Sequence, residues 1–190
     1  VLFGLWRQAE SKRFRPVVAA YVASAAFLAV GAALGALLAV FPAHPRLLIA
    51  HVAANVGGFV GLAAAGSLTI LFPSIWRTKG INPRMRLSFT LLGLGVLATL
   101  IGSAWNVPEV GLIVYCVGWL ASLQGWLVNV LTVAEDPRGR ITFPALSALF
   151  SAFWLVGGLT YYTAQHFLSE EPKIPMLALV VGFAAQLLTG

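Results

Sequence analysis

Polar and apolar residues do not alternate along this chain; they segregate into blocks. Six long apolar runs, residues 16–41, 47–76, 87–105, 111–133, 143–167 and 176–190, are separated by short polar connections. Roughly 20 apolar helical residues cross the hydrocarbon core of a bilayer. Buried parallel strands also read as continuous Val, Ile and Leu, but strands seldom exceed about ten residues. The pattern therefore predicts an all-α integral membrane protein, a six-span helical bundle forming one transmembrane domain over residues 1–190. The second run is longer than a span needs, which predicts tilt. Pro73 predicts a kink or break near its end. Gly31 and Gly35, four apart in the first run, form a small-residue face that another helix can approach closely.

Composition agrees with the pattern: 59% of residues are hydrophobic and 9% charged, against about 25% charged in soluble domains. The net charge of +6 sits in loops, so it reads as a topology signal rather than a nucleic-acid footprint. Arg7, Lys12, Arg13 and Arg15 precede the first run. Arg77, Lys79, Arg84 and Arg86 follow the second, and Arg138 and Arg140 follow the fourth. Of the twelve basic residues, only Arg46 and Lys173 fall in the opposite loops. The positive-inside rule then puts the N-terminus of the multi-pass protein in the cytoplasm. Trp76, Trp105, Phe143 and Tyr162 lie near run ends, where an aromatic belt is expected. The single cysteine, Cys116, has no intrachain partner. The chain opens at Val1 and closes at Gly190 inside an apolar run, which suggests a segment of a longer polypeptide.

No Asp, Glu, Lys or Arg falls within a predicted span, which argues against a pump built on buried carboxylates. His51 is the ionisable residue clearly inside one. Asn55, four residues on, shares its face, and Gly57, Gly58 and Gly61 give a groove beside it. Such a face can admit a flat cofactor or simply another helix, with His and Asn as interhelical glue. His166 ends the fifth run at the same predicted level. A stripe of Tyr162, Gly158, Trp154 and Ser151 lies upstream and is expected to face the bundle interior. His166 reads either as an interfacial residue or as a metal ligand partnering His51, because neutral imidazole serves haem iron and copper alike. His44 reads as a solvated loop residue. Gln124, Asn129 and Gln165 read as ties between helices. No phosphate loop or dinucleotide glycine pattern is present in a strand–turn–helix context.

The stretch AHVAANVGGFVGLAAAGSLTILFPSIWRTKG, residues 50–80, resembles a pattern of actinobacterial membrane proteins. In it a His-x-His-x-Asn-x-x-Gly-Phe-x-Gly run is followed by Pro and Arg-Thr. Those proteins are distantly similar to haem-copper oxidase subunit I and to the NnrS-type haem-copper membrane proteins. His51 matches the first His, Asn55 the Asn and Gly58 the Gly before Phe59, while Ala53 stands where the second His is usual. VVGFAAQLLTG, residues 180–190, resembles a later helix of the same family. The resemblance implies a longer haem-copper-oxidase-like protein. It also implies a haem or copper cofactor, with His51 and His166 as metal ligands and His51, Asn55, Gly58 and Tyr162 lining the cofactor.

Three functions follow from these readings: a haem- or copper-associated redox or metal-handling membrane protein, a non-catalytic anchor or subunit packing on partner helices, and a small-molecule or metal permease. The expected partners are the lipid bilayer and either membrane subunits or a missing C-terminal domain, with no nucleic acid. The orientation has a direct check. Cysteines placed at Ala43 or Pro172 should label from outside, and cysteines at Gly80 or Gly139 should not. The reverse pattern would invert the topology.

Overall fold

The computed structural model describes residues 14–42, 44–78, 82–135, 141–168 and 173–189, and no strand occurs among them. Five helices are long and apolar enough to cross a membrane: α1 (Arg15–Val40), α2 (Pro45–Ile75), α3 (Met85–Ala104), α4 (Glu109–Ala134) and α5 (Phe143–Leu168). The described residues are thus all-helical, with five candidate membrane spans. The sixth run forms the shorter apolar helix α6 (Leu177–Thr189), whose residues Leu177–Ala185 are π-helical. Arg7, Lys12, Arg13, Lys79, Arg138, Arg140 and Gly190 lie outside the described residues.

The helices cluster into two compact units: residues 1–68 with 86–118, and residues 69–85 with 119–190. In the first unit α1 runs antiparallel to the first part of α2. The Tyr21 and Ser67 hydroxyls meet at 2.7 Å, and the Ser24 hydroxyl donates to the Phe59 carbonyl at 2.7 Å. The start of α4 lies antiparallel to α3. There the Ser88 hydroxyl donates to the Gly118 carbonyl at 2.9 Å. Gly95 and Gly111 bring the two backbones together at Tyr115 and Thr99. At the far end of α3, Arg46 donates to the Ala104 carbonyl at 3.2 Å. Within this unit Arg15 and Arg86, at the starts of α1 and α3, therefore lie at the end opposite His44 and Arg46.

The long second run is continuous but not uniform. Residues Ala53–Gly61 of α2 form a π-helix, with α-helix before and after. The Asn55 amide donates to the His51 carbonyl four residues back, at 3.1 Å; such back-bonding competes with the α ladder. Gly57 and Gly58 follow, and glycine has the weakest α preference after proline. Pro73 does not break α2, which continues to Ile75. The helix ends instead in a Schellman motif. Arg77 N–H bonds the Ser74 carbonyl at 3.2 Å and Thr78 N–H the Pro73 carbonyl at 2.8 Å, with Arg77 left-handed at φ 51°. Asn106, at φ 61°, closes α3 in the same way, with Val107 N–H bonding the Gly102 carbonyl at 2.9 Å. The left-handed position usually belongs to Gly or Asn. Arg77 occupies it as a cation at a helix C-terminus, where the dipole favours positive charge.

The second unit is centred on aromatic rings. Phe72 stacks on Trp126 at 5.3 Å and on Trp76 at 6.2 Å, and Trp119 meets Trp126 at 6.4 Å. Trp76 is therefore a buried core residue, 2% exposed, and not the belt residue its position suggested. Trp105 and Phe143 are 71% and 72% exposed, as belt residues should be. Asn82 is buried, donating to the Ser122 carbonyl at 3.0 Å and accepting from Arg84 N–H at 2.8 Å. It fixes the entry to α3 against α4. α6 packs antiparallel on α5, with Gly182 against the Trp154 ring and the Ser147 hydroxyl donating to the Gln186 carbonyl at 2.9 Å.

Replacing Arg77 with Gly should raise stability by about 1 kcal/mol, the cost of a left-handed side-chain residue. Arg77→Ala should bring no such gain. Thermal unfolding in detergent measures both, and equal midpoints for the two variants would refute the strain assignment.

Candidate functional site

The polar pair singled out in the second run closes on α1. The His51 Nδ1 lies 3.0 Å from the Gly31 carbonyl oxygen. A carbonyl only accepts, so Nδ1 carries the proton and donates, and in the neutral ring Nε2 keeps its lone pair. A protonated Nδ1 cannot also accept, so the 3.3 Å approach of the Asn55 amide nitrogen to it is not a hydrogen bond. That amide is already committed to the His51 carbonyl.

Two glycines make this possible. A Cβ on Gly31 would overlap the Asn55 amide, and one on Gly35 would sit 2.8 Å from His51 Cε1. The Gly31–Gly35 face of α1 and the His51–Asn55 face of α2 thus fit each other, one polar side chain over each glycine. The spacing alone announced both faces; their pairing is what the fold adds.

Gly58 also faces α1, with the Phe27 ring filling the space a side chain would take. Gly57 and Gly61 turn towards Tyr115 of α4. The Tyr115 hydroxyl donates to the Gly57 carbonyl at 3.1 Å. All three groove glycines therefore meet neighbouring helices. Tyr115 itself escaped the sequence reading, although a phenol inside an apolar run needs a polar partner and its presence was the available signal.

His166 belongs to the second unit. Its ring meets Tyr162 edge-on, with centroids 4.9 Å apart. Of the stripe above it, Ser151 and Gly158 are buried, but Trp154 is 52% exposed, so the face expected to point wholly inward does so only in part. His44 is exposed and begins α2 in extended conformation, before Pro45. Gln165 bonds the backbone of Lys173 through both ends of its amide, at 3.0 and 3.1 Å, tying the end of α5 to the approach to α6. Asn129 is buried among the described residues with no acceptor for its amide nitrogen, and Gln124 is exposed. Neither bonds another helix among the described residues, so of the three amides only Gln165 makes the expected tie.

The donor set decides which cofactor the residues fit. The described residues hold no group of three or more His, Cys, Asp or Glu able to enclose an ion. Around His51 the donors are one imidazole, an amide and carbonyls. That set is not a copper site as it stands. A haem would be held there by one imidazole, His51, whose Nδ1 bond to the Gly31 carbonyl is the kind of contact that orients a ligating histidine.

Gly61→Leu should destabilise the protein by about 1–3 kcal/mol through overpacking against the Tyr115 hydroxyl. An unchanged midpoint of thermal unfolding would remove that close contact from the packing of α2 on α4. Comparison of the chain with protein-family models, with curated proteins and with solved structures finds no match.

Proposed function

We propose that this chain is a non-catalytic, multi-pass membrane subunit or anchor, in which His51 and Asn55 clasp α1 to α2. The observation that carries this reading is the use made of the two side chains. The proton on His51 Nδ1 goes to the α1 backbone, the Asn55 amide goes to α2 itself, and both groups fill spaces left by glycine. A histidine spent in this way, with Asn55 seated over Gly31 beside it, holds the two helices together. The opposition of Arg15 and Arg86 to His44 and Arg46 within the first unit supports an N-terminus on the cytoplasmic side of a bacterial inner membrane.

A second reading has one observation in its favour. The Nδ1 bond leaves the Nε2 lone pair uncommitted in the neutral ring, and that presets an imidazole for iron. In this reading the chain is the membrane part of a haem-associated redox protein, as the resemblance of residues 50–80 implies. A haem would supply one-electron exchange. His51 would hold it, and the Gly31 carbonyl would orient His51.

The two readings separate in one preparation. For the anchor, the purified protein should show no haem spectrum. His51→Ala should cost about 1 kcal/mol, the scale of interhelical hydrogen bonds in membranes. A stoichiometric haem band that vanishes in His51→Ala while the helices stay folded would replace the anchor with the redox reading.

A further inference from the structure

In the first unit a groove of about 350 Å³ lies between the beginnings of α1 and α3. Its α1 wall is Pro16, Ala19, Ala20 and Ala23, a stripe at helical spacing with nothing larger than a methyl group beyond the proline ring. Its α3 wall carries Arg86, Phe89, Thr90 and Gly93, and Leu62 of α2 also lines it. The groove is graded along its length. Arg86, exposed in the first turn of α3, stands at one end with Thr90 one turn further in. Gly93 lies deeper still, and a Cβ built there would meet nothing within 4 Å.

Two features point to an occupant. First, the lining beyond Arg86 and Thr90 is apolar, and at Gly93 a Cβ would meet nothing within 4 Å. Second, Arg86 forms no ion pair or hydrogen bond with any described residue, and Arg15, beside Pro16, is likewise exposed and unpaired among them. A guanidinium at the head of an apolar groove between spanning helices matches a molecule with an anionic head and a hydrocarbon tail. Arginine suits the head because its planar fork binds phosphate oxygens in pairs. Basic pockets between transmembrane helices are a recognised means of holding anionic lipid headgroups.

We propose that this groove binds an anionic phospholipid from the leaflet on the basic side. The phosphate lies on Arg86, with Thr90 as a hydroxyl donor, and one acyl chain runs along Ala19, Ala23, Phe89 and Gly93. The site is separate from the His51 clasp and holds under either function proposed above.

Native mass spectrometry of the purified full chain, titrated with dioleoylphosphatidylglycerol or dioleoylphosphatidylcholine, tests this. The phosphatidylglycerol should bind the more tightly. Arg86→Gln should weaken it about five-fold, the effect of one basic residue at an anionic surface, and leave phosphatidylcholine unchanged. Gly93→Leu tests the tail. The space at Gly93 accepts a side chain, so this variant should fold, as circular dichroism will report, and should lose phosphatidylglycerol to a similar extent. Equal retention of the two lipids would overturn the proposal, as would an Arg86→Gln variant that binds normally. Loss on Arg86→Gln without loss on Gly93→Leu would reduce the contact to headgroup electrostatics and remove the groove from it.

Discussion

A helix surrounded by hydrocarbon gains little by covering a leucine with another leucine, since lipid covers it equally well. Spanning helices must therefore recognise one another by close approach and by polar groups that would otherwise go unsatisfied. Both devices are used here at the same positions. Gly31 admits Asn55, Gly35 admits His51, Gly58 admits Phe27 and Gly95 admits the Tyr115 backbone. In the second unit Gly125 admits Asn82 and Gly182 admits Trp154. In each case a missing Cβ on one helix is the seat of a group from another segment. Hydroxyls then complete the contacts by donating to carbonyls across the gap, as Ser24, Ser88 and Tyr115 do.

This economy explains the odd distribution of bulk in the chain. Large apolar residues such as Leu48, Val60, Leu94, Ile101 and Leu131 are exposed, which in water would be a liability and in lipid is the expected state. The buried positions combine Ala, Gly and Ser with Leu and Val, such as Leu62, Leu92 and Val96, and with a few aromatic rings. In the second unit those rings do what glycine does elsewhere. Phe72, Trp76, Trp119 and Trp126 fill one another's faces by stacking, and aromatic pairs gain from that geometry beyond their area.

What the sequence made legible follows from the same physics. Run length located the five candidate spanning helices to within two residues at each end, because hydrocarbon thickness is a hard constraint. The polar face of His51 and Asn55 and the small face of Gly31 and Gly35 were each visible as a four-residue spacing. That they meet depends on which helix lies beside which, and nothing in a single sequence encodes that. Trp76 was misplaced for a related reason: a tryptophan near a run end has the same local sequence whether it faces headgroups or Phe72. The π-helical stretches Ala53–Gly61 and Leu177–Ala185 were invisible, since the width of a helical turn leaves no trace in hydropathy. The cofactor expected at His51 and His166 rests on the chemistry of imidazole, and on the His51 side the geometry adds one fixed ring.

The π-helical stretch of α2 also bears on how this helix tolerates changes in chain length. Each wide turn takes up more residues than an α turn closed by four, so α2 carries slack within Ala53–Gly61. An α-helix advances its face by about 100° per residue. A one-residue deletion in an ordinary span would therefore rotate everything beyond it out of register with its neighbours. Here the same deletion could be absorbed by converting a wide turn to a normal one, with His51 kept on Gly35 and Ser67 kept on Tyr21. The segment that carries Asn55, next to the His51 clasp, is thus one where the chain could lose a residue without unthreading the helices around it.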